Sequence, residues 1–232
     1  MVYQIDQAIE NGINFYDGYF LRDINETTFK SIFTANIDMP MAKEKTNVLN
    51  KVGEILVAEY KGDWLNFIKS GPKNLYQNGE GLIERLVYQF ERFRDTSIYL
   101  GQEVHFLKLA QLAFWGIHRE LSRHKDFYIE DMENMTAFAD YIVPVALEKM
   151  NIVTYSDKLK NKIEQGVLIE SGSIEEIEIR SATLFVTAQL TEEINKLRGV
   201  DEKIIIPQLD FKLWTDFHAE KSFHHLTKTI MY

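Results

Sequence analysis

Interruptions of helical structure are rare in this sequence, because only 4 prolines and 12 glycines are spread over its 232 residues. These two residue types are the strongest local breaks in a helix. Elsewhere, apolar residues recur at steps of three and four, the period of one face of an α-helix. We therefore predict an all-α (mostly α) fold, with residues 1–232 forming one unit or two packed helical lobes.

Periodicity and capping residues place the main helices. Asn47–Tyr60 and Gly79–Phe93 each carry an amphipathic pattern, and a glycine follows the first of them. Val104–Leu121 is apolar almost all round, which predicts a buried central helix. A helix is also expected from about Pro144, because proline suits a first turn. Strand signals are weak, and the best candidate is Lys203–Ile206.

The longest predicted helix begins at Ser173, where Ser173 and Glu176 fit a capping box, and ends near Gly199. An apolar stripe is expected to face the core; it includes Ile174, Ile177, Leu184, Phe185 and Leu197. The charged residues of the first two turns are expected on the exposed face, with Glu178 alone able to turn inward; they are Glu175, Glu176, Glu178 and Arg180.

Charge and composition narrow the classes of partner. The net charge of −9 argues against binding DNA or RNA, since phosphate-driven binding needs a basic face. A small anionic ligand needs only a local basic group. The chain has no cysteine, so disulfides and thiol catalysis are excluded. No secretory signal and no run of 18 apolar residues occur, so we expect a cytoplasmic protein with no membrane segment.

Asp140 is the most unusual charge in the sequence, because it lies within the apolar and aromatic run FADYIVP. Burying an ionised carboxylate is costly unless a partner compensates. The residue before Pro144 is biased away from helical geometry, so Asp140 is expected on a bend just ahead of a helix. Sequence alone leaves two roles open: a capping or ion-paired aspartate, or a catalytic carboxylate at the base of a pocket.

Lys108 raises a similar question in VHFLKLAQLAFW. If this stretch is helical, Val104, Lys108, Gln111 and Trp115 share one face. The lysine then either extends to the surface along its aliphatic stem or faces a polar cavity, where it could bind phosphate or pair with a carboxylate. Both readings remain open.

The six histidines show no metal-binding pattern. His105, His118 and His124 lack the HExxH spacing, and the pair His224–His225 has no obvious third ligand. We expect structural or surface histidines, no metal and no cofactor. His225 and Lys228 are weak candidates for a phosphate contact.

An ordered set of motifs resembles the queuosine salvage protein family, the queuosine 5′-phosphate N-glycosylase/hydrolases. FERFRD and HFLKLAQ are similar to segments upstream of the family's FADY motif, and INFYDGYF is similar to its amino-terminal region. The downstream segments follow in the family's order: LEKMNIVTYS, GSIEEIEIR, LDFKLW and HHLTKTIMY. The chain departs from the family at Leu109 and Ile142, where arginines are usual, and at Tyr16–Asp17.

The resemblance implies a helical fold related to helix-hairpin-helix DNA glycosylases and the release of queuine from queuosine 5′-monophosphate. It carries over Asp140 as the active-site carboxylate and Lys108 as its basic partner. Phe138 and Ala139 would border the substrate. Further substrate-binding candidates are Asp210, which would grip the base, Phe15 and Trp214, which would stack on it, and Asn14 and Glu178, which would complete the polar edge.

Three other functions remain open from sequence. The chain could hydrolyse another modified or ordinary nucleoside, bind a base or nucleotide without turnover, or serve as a helical interaction domain. The last gives no reason for charges at Asp140 and Lys108. Sequence does not decide whether a 5′-phosphate is required, whether Asp140 acts as nucleophile or electrostatically, or which oligomer forms.

Overall fold

The computed structural model describes residues 2–122 and 127–231. Helices dominate the described chain, and the one sheet that it contains has two short strands, which confirms the predicted fold class. The chain divides into two compact units. The first comprises residues up to Lys73 together with Gln77–Arg92, and the second comprises Asn74–Tyr76 together with residues from Phe93 onward.

The regular elements of the first unit are all helices in its described part. Side chains of Asp17, Asn25 and Asp63 accept amide hydrogen bonds at the starts of three helices, which is why these helices begin where they do. Its six helices are α1 Val2–Glu10, α2 Gly18–Asp23, α3 Glu26–Ile32, α4 Ala42–Tyr60, α5 Trp64–Lys69 and α6 Leu82–Gln89.

Helix α4 is the long element of the first unit. It begins five residues before the predicted start and ends at Tyr60, where Lys61 and Gly62 both take positive φ. Gly53 lets it pack closely on α2: a Cβ at this position would lie 2.1 Å from the backbone nitrogen of Arg22. Only a glycine therefore fits at this crossing.

In its described residues, the second unit combines a β-hairpin with five α-helices. Asp131 fixes the segment 74–76 to this unit, since its carboxylate accepts the amides of Leu75 at 2.6 Å and Tyr76 at 3.1 Å. The elements are β1 Thr96–Tyr99, β2 Gln102–His105, α7 Lys108–Leu121, α8 Ile142–Lys149, α9 Asp157–Glu164, α10 Ile174–Lys196 and α11 Ile206–Phe217.

Two predictions about this unit are wrong. The stretch 104–121 is not one helix, because Val104 pairs with Ser97 in the antiparallel hairpin and α7 starts only at Lys108. Leu100 and Gly101 both have positive φ, which matches a tight two-residue hairpin turn. The predicted strand at Lys203–Ile206 is absent; Ile206 begins α11, whose first turn contains a proline.

Helix α10 confirms its predicted start and only part of its predicted face, since Ile177 is buried and Leu184 packs against the same apolar cluster. The Ser173 hydroxyl accepts the Glu176 amide, whereas the Glu176 carboxylate accepts the amide of Gly172. Phe185 and Leu197 are exposed, and the buried side includes Glu176, Arg180 and three threonines. These polar side chains can be buried because their hydrogen-bonding groups have partners. Arg180 pairs with Asp95, and each threonine hydroxyl donates to a carbonyl one turn earlier.

An apolar core joins α8, α10 and α11. Its buried members are Val143, Ala146, Leu147, Leu209 and Leu213. This packing holds the start of α8 and the first half of α11 in fixed positions, and both carry candidate site residues. No helix in the described ranges is both long and apolar enough to cross a membrane.

Candidate active site

Asp140 lies on a bend immediately before α8, as predicted, although the helix already includes Val143, the residue before Pro144. Its Oδ1 accepts the amide of Ile142 at 2.8 Å and that of Val143 at 3.2 Å, so one carboxylate oxygen caps the helix. The helix starts at Ile142, two residues before Pro144. Because Oδ1 alone makes both bonds, Oδ2 is left to face another group.

That group is the Lys108 ammonium, whose Nζ lies 3.9 Å from Asp140 Oδ2. The side chains of Lys108 and Asp140 are only 11% and 8% exposed, so the lysine faces the interior rather than extending to the surface. Burial lowers the pKa of Lys108, while the charge of Asp140 opposes that change. The contact shows how the cost of the buried carboxylate is compensated.

Asp210, on α11, joins the same cluster. Its Oδ2 accepts the Phe138 amide at 2.9 Å, which ties the helix to the segment that precedes Asp140. Burial raises the pKa of Asp210 to about 7, and the nearby Asp140 charge adds to that rise; the Phe138 amide and Lys108 act in the opposite sense. Asp210 can therefore hold or release a proton near neutral pH.

The cluster thus contains two carboxylates and one ammonium group in surroundings largely shielded from water. Electrostatic interactions are stronger there than in bulk water, so a fixed carboxylate can stabilise a developing positive charge. A carboxyl that is protonated at neutral pH can donate a hydrogen bond or a proton to a leaving group. These abilities suit cleavage of a glycosidic bond.

A buried ion pair lies next to this cluster, and the sequence analysis missed it. Arg180 binds Asp95 through two hydrogen bonds of 2.9 and 2.6 Å, and both side chains are almost inaccessible. Glu176 lies 3.4 Å from Arg180. The expectation that Glu176 and Arg180 are exposed is therefore wrong; the four-residue spacing of Glu176 and Arg180 was the only local sign of their pairing.

The remaining predicted site residues of the second unit differ in their burial and in their contacts. Phe138 and Ala139 are buried beside Asp140. Trp214 lies one turn after Asp210, is 39% exposed, and stacks on His218 with ring centroids 4.4 Å apart. Glu178 is exposed and accepts a hydrogen bond from the Tyr99 hydroxyl at 2.8 Å, so it does not turn inward with Arg180.

Asn14 and Phe15 belong to the first unit, where each has a local structural contact. The Asn14 side chain accepts the Tyr16 amide at 2.9 Å. The Phe15 ring packs edge-on against Phe20 with centroids 5.5 Å apart, within an apolar cluster. Their roles in substrate binding stay predictions.

A cavity of about 590 Å³ in the second unit lies away from these groups. Residues of α8 and α9 line it together with Lys221, Ser222 and Phe223, and neither Asp140 nor Lys108 contributes. Burial raises the pKa of Tyr155 in its wall. The chemical groups of the cluster, rather than the volume of a cavity, therefore define the candidate site.

The histidines give no metal centre in the described ranges. No three histidine, cysteine, aspartate or glutamate side chains of residues 2–122 and 127–231 are arranged to hold a metal ion. His225 is buried, and burial, aided by His224 and Arg180, lowers its pKa to about 4. His124 lies outside the described residues.

Comparison with known proteins gives a match over the whole chain. The sequence profile of the family described as Queuosine salvage protein matches residues 1–232. A relative from Sphaerobacter thermophilus, named Queuosine 5′-phosphate N-glycosylase/hydrolase, is 27% identical over 231 residues and 98% of this chain. Relatives of the same name are 32% identical over 84% of the chain in Dictyostelium discoideum and 27% identical over 90% in Mus musculus.

The chain spans only part of these relatives. The matched segments cover 69% of the Sphaerobacter protein, 63% of the mouse protein and 60% of the Dictyostelium protein. The match to the family covers the whole of this chain. The activity and the substrate of this chain have to be argued from its own residues.

Proposed function

Because the chain belongs to the queuosine salvage protein family, we propose that it hydrolyses the N-glycosidic bond of queuosine 5′-monophosphate and releases queuine. The observation that carries the proposal is the buried contact of 3.9 Å between Lys108 Nζ and Asp140 Oδ2. Both residues belong to motifs that resemble the active-site motifs of the family. Relatives named for this activity support the choice of substrate.

In the proposed reaction, positive charge develops on the ribose as the bond between its anomeric carbon and the base nitrogen breaks. The Asp140 carboxylate stabilises this charge, either electrostatically or by forming a glycosyl-enzyme. Water then adds its oxygen to the anomeric carbon, which in the glycosyl-enzyme route breaks the bond to the Asp140 oxygen, and the proton that water loses balances the proton that the departing base gains. The products are queuine and ribose 5-phosphate.

Lys108 offsets part of the hydration that the Asp140 carboxylate loses on burial, because opposite charges attract strongly where water is excluded. Its ammonium group can also bind the 5′-phosphate. Both uses require the lysine to stay charged despite its burial, and the Asp140 charge contributes to that.

The departing base needs separate help, because a 7-deazapurine lacks the N7 that ordinary purine hydrolases protonate. Asp210 is the proposed group that grips this base, and the raised pKa gives it a hydrogen to donate near neutral pH. Phe138 and Ala139 would border the substrate, Trp214 and Phe15 would stack on it, and Asn14 and Glu178 would complete its polar edge. We expect a small nucleotide as partner, no cofactor, and action in the cytoplasm.

A chromatographic assay for free queuine tests the proposal, with queuosine 5′-monophosphate mixed with the wild-type protein and separately with Asp140→Asn. We expect release by wild type and a rate at least about 100-fold lower for the variant. Substrate binding is measured in parallel by calorimetry. Binding without release by wild type would instead identify a silent nucleotide-binding protein or a hydrolase of another nucleoside, for which Leu109 and Ile142 are the departures to examine.

A further inference from the structure

One buried ion pair contacts both backbone segments that carry the proposed catalytic groups. Arg180 Nε donates to the carbonyl of Ala139, the residue before Asp140, at 3.1 Å. Asp95 Oδ2 accepts the amide of Lys108 at 3.2 Å. Since Arg180 and Asp95 also bind each other through two hydrogen bonds, four hydrogen bonds link the backbone at Lys108 to the backbone at Asp140.

The backbone before Lys108 is held in an uncommon conformation. Leu107 has a φ of +49°, which is unfavourable for a residue with a branched side chain. The Asp95 carbonyl accepts the amides of Phe106 at 2.9 Å and Leu107 at 3.1 Å. Asp95 therefore holds this turn through its backbone and the first residue of α7 through its side chain.

The pair is also built to be rigid. Asp95 and Arg180 are each 2% exposed, and the Arg180 guanidinium lies 3.9 Å from the centroid of the Phe106 ring. A two-point contact between planar groups fixes orientation as well as distance. Buried ion pairs contribute little net stability compared with apolar packing, so geometry is the better explanation for this one.

We propose that Asp95 and Arg180 are positioning residues that set the separation between the Lys108 ammonium and the Asp140 carboxylate. They act through the backbone on either side of the site and touch no substrate. The inference rests on the proposed function for its kinetic consequences, whereas its geometric consequence is independent of which nucleoside the site accepts.

Two conservative variants alter the pair while leaving its volume nearly unchanged. Arg180→Lys keeps the charge but loses the planar fork, and Asp95→Asn keeps an acceptor for Lys108 but loses its charge. Glu176→Gln is the matched control, because Glu176 is equally buried and adjacent to Arg180 but contacts neither catalytic segment. We expect kcat to fall about 10- to 100-fold in the first two variants, with KM within about threefold of wild type, and to stay near wild type in the control.

Chemical rescue separates positioning from general loss of structure. Arg180→Ala is assayed with and without millimolar methylguanidinium, which can refill the vacated space next to Asp95. We expect at least a fivefold recovery of kcat, and none in Asp140→Asn. Absence of recovery in a folded Arg180→Ala protein, or equal kcat loss in Glu176→Gln and Arg180→Lys, would overturn the proposal.

Crystal structures of Arg180→Lys and Asp95→Asn test the geometry without any activity. We expect the separation of Lys108 Nζ and Asp140 Oδ2 to change by at least about 1 Å from the wild-type value. An unchanged separation in both variants would overturn the inference, even if wild type releases no queuine. Failure of the wild-type assay together with a changed separation would contradict only the proposed function.

Discussion

Lys108 Nζ lies 3.9 Å from Asp140 Oδ2, with both side chains almost completely removed from solvent. Asp140 is the charge that most favours the ionised form of Lys108, and the nearby Lys108 charge partly offsets the cost of burying the Asp140 carboxylate. Removal of either side chain should therefore affect the chemistry of the other as well as its own. This dependence is the basis of the first prediction.

Lys108→Met removes the ammonium group and keeps most of the aliphatic stem. We expect kcat/KM for queuine release to fall about 100-fold, because the carboxylate loses its cation and the phosphate loses a ligand. Lys149→Met is the control, since Lys149 is half-exposed and pairs with Glu220 at the surface. Equal kcat/KM for Lys108→Met and wild type would remove Lys108 from the mechanism.

Asp140 has a structural role that can be measured apart from its chemical one. Asp140→Ala loses the acceptor for the amides of Ile142 and Val143, whereas Asp140→Asn keeps an oxygen in that position. We expect the alanine variant to be about 1 kcal/mol less stable than the asparagine variant, and both to be inactive. Urea denaturation measures the difference; equal stabilities would show that the cap contributes nothing.

Asp210 should make stability depend on pH. Its pKa of about 7 in the folded protein exceeds the ordinary 3.8, so the folded state binds more protons between these values and loses stability as pH rises through this window. The full effect is about 4 kcal/mol at most, because each pKa unit corresponds to 1.36 kcal/mol.

The matching experiment compares the pH dependence of the free energy of unfolding between about pH 4 and 7 in Asp210→Asn, Asp216→Asn and wild type. We expect a flatter curve in Asp210→Asn only, because Asp216 lies on the exposed side of the same helix and pairs with Lys212. A slope in Asp210→Asn that equals the wild-type slope would assign the pH dependence to other groups.

Replacement of two helical glycines by alanine should change the free energy of unfolding in opposite directions. Gly53→Ala places a Cβ against the backbone of α2, at 2.1 Å from the nitrogen of Arg22, so we expect a loss of at least about 2 kcal/mol in the free energy of unfolding. Gly116→Ala meets no atom within 4 Å, and we expect a gain of about 0.5–1 kcal/mol. Thermal unfolding of both variants gives the comparison, and destabilisation by Gly116→Ala would contradict it.

Local signals in the sequence predict several features that the structure confirms. Ser173 begins its helix, because a hydroxyl cap acts only on amides within the next turn. Asp140 lies on the predicted bend just ahead of a helix, although Val143, the residue that Pro144 was expected to keep out of the helix, is itself helical. Each of these outcomes depends on atoms within a few residues of the signal.

The incorrect predictions depend on distant partners. The apolar run around Val104 suggested a helix, but its pairing with Ser97 across a turn favoured a strand. Glu176 and Arg180 looked exposed because charged residues usually are, yet Asp95, 85 residues away from Arg180, makes burial of the guanidinium favourable. No pattern within α10 contains that information.

The sequence by itself determined the helical class, the end of α4, the start of α10 and the chemical groups available, because caps, glycines and periodicity act over one or two turns. Only the tertiary structure decided which groups meet. Asp210 reaches the segment of Phe138 across 72 residues, and Lys108 at the start of α7 reaches Asp140 on the bend before α8. Burial and the pKa changes that follow from it depend on such long-range packing, so the candidate site exists only in the folded chain.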